Sequence, residues 1–289
     1  MSVSNGRRRV RTVRRTAVAL ALCAILAACG GTDHEAVSHA GPVLQPSRAL
    51  SEPAGSNAPK ASSRPVQPRP GRAYPWHTGI VSTTFWVGEV FDPTAADGSQ
   101  VYSTFDAAWQ RHYGGCDGKV IRGTCRTERR TARNGFFPQH MKPHQNPFYL
   151  DLPYDDVNDP TGFRQRCRVI PWASDPGYRG HCSDPAFSYL KDRWVKIIGP
   201  NRRTCYGQIE DAGPGKYHDS RYVFGAGNKR PANRRYGGAG ADVSPALNGC
   251  LGFRELDGDT DRISWRFVDA VGVPNGPWRR IVTKTPVVE

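Results

Sequence analysis

Two short stretches decide the fold of this chain: Cys205-Tyr-Gly-Gln-Ile-Glu-Asp-Ala-Gly-Pro214 and Gly240-Ala-Asp-Val-Ser-Pro-Ala-Leu247. The first predicts a short strand that runs into a turn, with Asp211 at the end of the strand. The second places Asp242 just before Ser244-Pro245, which is typical of a helix start because Ser caps free N–H groups and Pro suits the first helical position. Two carboxylates are therefore expected at fixed backbone positions, as in sites that cleave glycosidic bonds.

These motifs, in this order and spacing, resemble the double-psi β-barrel family of rare lipoprotein A, the expansins and the family-45 endoglucanases. The matching segments lie within residues 194–283: Asp211-Ala-Gly-Pro214, Asp242-Val-Ser-Pro-Ala246 and Leu251-Gly252. A group of secreted bacterial proteins of the same fold is similar through Phe85-Trp-Val-Gly-Glu89, Asn146-Pro-Phe-Tyr149 and Leu152-Pro-Tyr-Asp155. The resemblance implies a mainly β fold, a six-stranded double-psi β-barrel with long disulfide-stapled loops and one or two short helices.

The resemblance also implies catalytic candidates. It gives Asp242 the role of general acid and implicates Asp211, which matches an Asp implicated in rare lipoprotein A-like lytic transglycosylases. It also loosely matches Glu89, on the first strand, to the catalytic base of the family-45 enzymes. The alternative for Asp242 and Asp211 is structural, because an Asp near a helix start bonds free N–H groups and an Asp before Gly-Pro builds a turn. One departure concerns the family His before a Leu-Pro pair: Leu150 stands there, and the acids nearby, none of them a clean match, are Asp151, Asp155 and Asp156.

Four aromatic residues are candidates for stacking on sugar rings: Trp86, Tyr149, Tyr154 and Tyr222. The alternative for each is packing in the core or in a loop, which is the commoner role of such residues. No phosphate-binding loop, Ser-His-Asp order or dinucleotide fingerprint occurs. We therefore expect no cofactor and no metal.

The N-terminal residues indicate export. Six arginines precede an apolar run too short for an ordinary membrane span, and Leu26-Ala-Ala-Cys29 follows, which resembles a bacterial lipobox with Cys29 as the lipidated residue. Ordinary signal cleavage without a lipid is the alternative. We expect a signal peptide over residues 1–28, a Pro/Ser/Ala-rich tether over 29–75 and one domain over 76–289, held at the cell envelope by the lipid.

The formal net charge of +14 falls to +8 when the six signal arginines are removed. A basic balance often indicates nucleic-acid binding, but export disfavours that partner. Cell-wall polysaccharide is the expected partner of a domain that we expect to be monomeric. Surface charge that only maintains solubility is the alternative.

The eight cysteines divide into two in the signal segment and six in the domain. An even number in an exported domain predicts disulfides. Of the possible pairings we favour the nearest-neighbour one, with bonds Cys116–Cys125, Cys167–Cys182 and Cys205–Cys250. The cysteine spacing is not that of a zinc ribbon.

Alternation and β-branched residues predict strands at residues 78–90, 148–152, 194–198, 204–210, 222–224, 263–268 and 278–283. Helices are predicted at residues 105–113 and 245–251, and residues 155–192 are expected to form a long loop. The resulting hypothesis is an exported glycan-active protein, either a lytic transglycosylase or an inverting glycosidase. The alternatives are a non-catalytic expansin-like binding module and an envelope scaffold, since fold does not fix function.

Overall fold

The structure, a computed structural model, describes residues 72–95 and 98–288, and six strands in this part of the chain close into a β-barrel. The strands follow the barrel in the order β1, β7, β4, β6, β5, β8, and β2 pairs with β3 in a separate hairpin. The strand bounds are β1 His77–Thr84, β2 Lys119–Ile121, β3 Thr124–Arg126, β4 Tyr149–Leu152, β5 Trp194–Ile198, β6 Thr204–Ala212, β7 Ala241–Val243 and β8 Arg262–Val268. The predicted mainly β fold with a six-stranded barrel is confirmed.

The barrel is mixed, since β1 pairs with β7 and β4 with β6 in parallel, and the other neighbouring strands are antiparallel. Alternate residues of each strand point to one face, and the apolar ones fill the interior. Ile80, Leu150, Ile197, Val243 and Ile263 are all buried in one core cluster there. The residues between them face outward, and the candidate site is built from these.

Four α-helices occur in the described residues, where one or two were expected. They are α1 Trp109–Tyr113, α2 Pro160–Val169, α3 Ser220–Val223 and α4 Pro245–Leu251. Helix α4 begins and ends as predicted: the Ser244 side chain accepts from the N–H of Leu247, and Gly252 ends the helix with a φ of 74°.

Two strand predictions were wrong, and the strand predicted at residues 78–90 ends at Thr84. Tyr222 lies in α3, where the side chain of Asp219 caps the helix by accepting from the N–H of Tyr222. Residues 278–283 begin in the 3-10 helix Pro277–Arg279. The amide of Gln208 then bonds both the N–H and the C=O of Thr283, so a side chain supplies the partners that a neighbouring strand would have offered.

The expected long loop at residues 155–192 contains α2. Asp159 caps this helix by accepting from the N–H groups of Thr161 and Gly162, with Pro160 in the first turn. Arg166, on the inner side of α2, is fully buried and donates to five backbone carbonyls, those of Asp156, His181, Cys182, Asp184 and Phe187. One guanidinium group thus supplies hydrogen-bond donors for many of the backbone carbonyls of this segment.

The three disulfides pair the cysteines as predicted. Cys116–Cys125 connects the segment after α1 to β3, Cys167–Cys182 ties α2 to the following loop, and Cys205–Cys250 joins β6 to α4. Cys29 and residues 29–71 of the proposed tether lie outside the described residues. Its last residues pack on the domain, since Tyr74 is buried in the core cluster and donates to Asp269. Within residues 72–95 and 98–288, none of the helices has the length and apolar character that spanning a membrane requires.

Candidate functional site

Three aspartates lie side by side on adjacent strands of the barrel. Asp151 on β4 is the register partner of Asp211 on β6 and of Asp242 on β7. Asp242 in turn is the register partner of Thr83 on β1. We call Asp211, Asp151 and Asp242 the carboxylate rung. Neighbouring strands are about 4.8 Å apart, so the outer two Cα atoms are about 10 Å apart across the rung.

The local sequence explains why these side chains face away from the barrel interior. Asp151 stands between Leu150 and Leu152, and Asp242 between Ala241 and Val243, and all four apolar residues belong to the core. In the pairing of β4 with β6, the register shifts between Leu150 and Asp151, and Glu210 is the extra residue on β6. This bulge brings Asp211 opposite Asp151 and leaves Glu210 to pair with Lys191, at 3.0 Å from its Nζ.

Hydrogen bonds fix the rung to the backbone. Oδ1 of Asp151 accepts from the N–H of Asp242 at 2.9 Å. Oδ1 of Asp211 accepts from the N–H groups of Thr104 and Ala212, both at 2.8 Å. Gly213 passes so close that a Cβ there would lie 2.5 Å from Oδ2 of Asp151, so the turn after β6 depends on glycine at this position.

Asp242 differs from the other two aspartates. Asp151 and Asp211 are 3% and 6% exposed, whereas Asp242 is partly exposed. Its Oδ1 has no hydrogen-bond partner within the described residues. Oδ1 itself is buried, so the exposed remainder of the Asp242 side chain is the part of the rung most accessible to a ligand.

Burial raises the pKa of every member of the rung, and repulsion from neighbouring rung carboxylates raises it further at Asp151 and Asp242. Burial, and then the Asp211 charge, raise the pKa of Asp242 to about 7. Burial raises the pKa of Asp211 to about 7, against the hydrogen bonds from Thr104 and Ala212. Burial and the two flanking carboxylates raise the pKa of Asp151 well above its usual range. Near neutral pH the rung therefore holds protons, as a proton-donating site requires.

Glu89 lies within electrostatic reach of the rung. Burial, and then the charges of Asp257 and Asp242, raise its pKa to about 8. Oε2 of Glu89 accepts from the N–H of Trp86 at 3.4 Å, and its own N–H bonds the Trp86 carbonyl. A carboxyl with this pKa is mostly protonated at pH 7. Glu89 is therefore better suited to donate a proton than to act as the base that the loose family match implies.

The turn that carries Glu89 is held by a buried polar network. Tyr149 donates from its hydroxyl to Asp117 at 2.8 Å and accepts from the N–H of Val87 at 3.0 Å. Asp117 pairs with the buried Arg130 at 2.7 Å. Tyr149 thus connects β4 to the turn from behind the rung.

The aromatic candidates are buried. Tyr149 and Tyr222 are 0% exposed, Tyr154 is 1% and Trp86 is 8% exposed. Trp86 packs against the Cys116–Cys125 disulfide, and the hydroxyl of Tyr154 donates to the carbonyl of Gly162. Tyr222 donates to the carbonyl of Gly240 and accepts from Trp265, which fixes the approach to β7. These rings lie inside the domain, and we assign them no ligand contact.

Sequence reasoning had named Asp151 only as an acid without a clean family match. The signal was present in the alternation of Leu150, Asp151 and Leu152, since an acid between two core residues lies on the outer face of its strand. Asp155 and Asp156 instead bond the surrounding loops: Asp155 accepts from Val157 and Asn158, and Asp156 accepts from Ser188 and Tyr189.

Two surface cavities, of about 450 and 170 Å³, lie away from the rung and have none of its carboxylates in their linings. No group of three or more His, Cys, Asp or Glu in the described ranges is arranged to hold a metal ion. Comparisons of the chain with protein-family models and with curated proteins find no match.

Proposed function

We propose that this domain binds and cleaves a polysaccharide at the carboxylate rung, with Asp242 as general acid. The observation that carries the proposal is that Asp242, the most exposed carboxyl of the rung, has a pKa of about 7. A closed six-stranded barrel with acids at these motif positions is compatible with the double-psi barrel of rare lipoprotein A and the expansins. That family type remains part of the proposal.

In the proposed reaction, protonated Asp242 donates to the glycosidic oxygen as the bond from that oxygen to C1 of the sugar breaks. The raised pKa of Asp151 favours its neutral form, and Asp151 accepts from the N–H of Asp242, so it positions Asp242 while adding little negative charge. Asp211 raises the pKa of Asp242 through its own charge when it is ionised. Asp151 thus positions Asp242, and Asp211 favours the protonated form of Asp242.

Two nucleophiles are compatible with this arrangement. Attack by a hydroxyl of the same sugar closes an anhydro ring, and its proton returns to the Asp242 carboxylate. Attack by water instead needs a base on the opposite side of the sugar, about 6.5–9.5 Å from the acid. The raised pKa keeps Glu89 mostly protonated near neutral pH, and Asp211, with a pKa of about 7, is only partly ionised there. Intramolecular attack, as in lytic transglycosylases, is the form we favour.

The proposed substrate is cell-wall glycan. Its support lies in the N-terminal sequence, since a lipid on Cys29 and a Pro-rich tether would keep the domain beside the wall. In this proposal the protein resides at the cell envelope. Mass spectrometry of the mature protein tests it: acyl chains on Cys29 are expected, and an unmodified N-terminus at another residue would contradict it.

A second candidate function is glycan binding without cleavage. Two observations favour it: Asp151 and Asp211 each use an oxygen to accept from backbone N–H groups, and Leu150 stands where the related family has a His. A non-catalytic module would use the same surface and leave the glycan intact.

Incubation of the protein with purified cell-wall sacculi separates these functions. Cleavage by intramolecular attack releases fragments with anhydro ends, and cleavage by water releases fragments with reducing ends. We expect soluble fragments with anhydro ends, identified by mass spectrometry. Binding to sacculi without any soluble fragment would favour the non-catalytic module, and the absence of both binding and cleavage would remove the glycan proposal.

A further inference from the structure

A row of cations lies on the outer face of the barrel, on strands outside the carboxylate rung. On β8 the residues Ile263, Trp265 and Phe267 are buried in the core, so Arg262 and Arg266 face outward. Lys196 on β5 is the register partner of Arg266. Arg262 and Arg266 are four residues apart on one strand, which spaces them by about 13 Å.

These charges have no acidic partner. Within the described ranges, no carboxylate lies within 4.0 Å of a charged nitrogen of Lys196, Arg262 or Arg266. Like charges directly opposite each other on paired strands destabilise a sheet. The Nε of Arg266 is also buried without a hydrogen-bond partner. The fold therefore tolerates an unfavourable pair of cations at this position.

Trp76 holds the pair together. The Arg266 guanidinium carbon lies 4.8 Å from the centre of the Trp76 ring, and the Lys196 ammonium lies 5.9 Å from it. A ring that attracts two cations keeps them close despite their repulsion. At the other end of the row, Arg262 and Arg230 both donate to the carbonyl of Gly79, so a second pair of guanidinium groups gathers there without a carboxylate.

We propose that this row binds an extended polymer that carries phosphodiester groups and lacks nucleobases. Phosphate oxygens would complement the cations of Lys196 and Arg266 at one end and of Arg262 at the other. Trp76 is already engaged by two cations and Tyr206 is only 7% exposed, so the face offers no open ring on which a base could stack. The large hydrophobic side chains that are exposed in the described chain lie on other segments, which disfavours insertion into a bilayer.

The inference goes beyond the proposed function and does not depend on it, because the cations lie on β5 and β8 and the aspartates on β4, β6 and β7. A polymer of phosphate-linked polyol or sugar units would be held by one face of the barrel while the rung on other strands remains free.

The test is a calorimetric titration of the full chain with poly(glycerol phosphate) over a series of salt concentrations. The variant Lys196→Gln/Arg266→Gln removes the cation pair. Its matched control is Lys119→Gln/Arg126→Gln, since these exposed residues are also register partners on neighbouring strands, β2 and β3, with the same charges. We expect the first variant to bind about tenfold more weakly with a shallower salt dependence, and the control to bind like the wild type.

Several outcomes would overturn the proposal. One is that the control variant weakens binding as much as Lys196→Gln/Arg266→Gln does. Others are that the wild type binds neutral dextran as tightly as poly(glycerol phosphate), or a single-stranded oligonucleotide more tightly. The last is that phosphatidylglycerol vesicles capture the protein although it does not bind the free polymer. Thermal unfolding of each variant accompanies the titrations. If the double variant is destabilised, the single variant Lys196→Gln decides: about threefold weaker binding is expected, and unchanged affinity would refute the inference.

Discussion

At the scale of single residues, Asp242 carries the proposed chemistry, and its protonation should be visible in stability. Its pKa is about 7 in the folded protein, against an ordinary value of 3.8 for an Asp side chain. The folded state therefore binds more protons, and the wild type should lose stability as pH rises from about 4 through 7. Asp242→Asn keeps an oxygen acceptor and cannot ionise, so it should melt a few degrees higher than the wild type at pH 8 and equally at pH 4. Melting curves at both values check this, and a variant that is less stable at pH 8 would make Asp242 a structural residue.

The same proton should set the pH dependence of the proposed cleavage. A general acid acts only in its protonated form, so the rate of glycan cleavage should fall as pH rises through about 7, the pKa of Asp242. Initial rates measured between pH 5 and about 9 test this. A rate that rises across that window would instead assign the essential group to a base.

Sequence reasoning at this scale found two of the three aspartates of the rung. Asp211 and Asp242 stand in recognisable motifs, and the register of β6, β4 and β7 brings them to one row. The position of Asp151 depends on pairing with strands distant in sequence. The burial of Tyr149, Tyr154 and Tyr222 could not be predicted from the local sequence either, because that sequence does not distinguish a core aromatic residue from one that lines a binding groove.

At the scale of elements, the turn after β6 should be intolerant of a side chain at Gly213. A Cβ there would lie 2.5 Å from Oδ2 of Asp151, and Asp151 has little room to move because its Oδ1 bonds the N–H of Asp242. Gly213→Ala is expected to lower the free energy of unfolding by about 1–3 kcal/mol, as measured by denaturant unfolding. Gly272→Ala is the control, because a Cβ at that position meets no atom within 4 Å. Equal stability of the two variants would show that the turn after β6 can adjust to a Cβ at position 213, and would contradict the prediction.

The elements that sequence predicted correctly have strong local signals. Helix α4 has its Ser244 cap and its Gly252 stop, and β5 and β6, both predicted as strands, form an antiparallel pair. Residues 278–283 were mistaken for a strand because Ile281, Val282 and Thr283 are β-branched. The partner of Thr283 is instead the Gln208 side chain. Helix α2 was hidden by a loop-like composition, and the buried Arg166 that stabilises its surroundings gives no signal in a hydrophobic pattern.

At the scale of the whole molecule, the three disulfides should contribute unequally. Cys205–Cys250 spans 45 residues and Cys116–Cys125 spans 9. In the chain-entropy model, a disulfide that closes a longer loop removes more entropy from the unfolded state and so stabilises the fold more. Replacing both cysteines of the longer loop by Ala should therefore cost about 1–2 kcal/mol more than replacing both of the shorter one. Denaturant unfolding of the two double variants measures this, and the reverse order would show that native-state packing around the bonds dominates.

The central claim for the whole molecule is that the barrel places Asp242 to cleave a glycan. Its most direct measurement is the release of soluble fragments from purified cell-wall sacculi by the wild type, Asp242→Asn and Asp259→Asn. Asp259 is an exposed acid, so its variant controls for the loss of one negative charge. The account predicts that only Asp242→Asn abolishes release, while all three proteins fold and bind sacculi. Undiminished release by Asp242→Asn, or no release by the wild type, would contradict it.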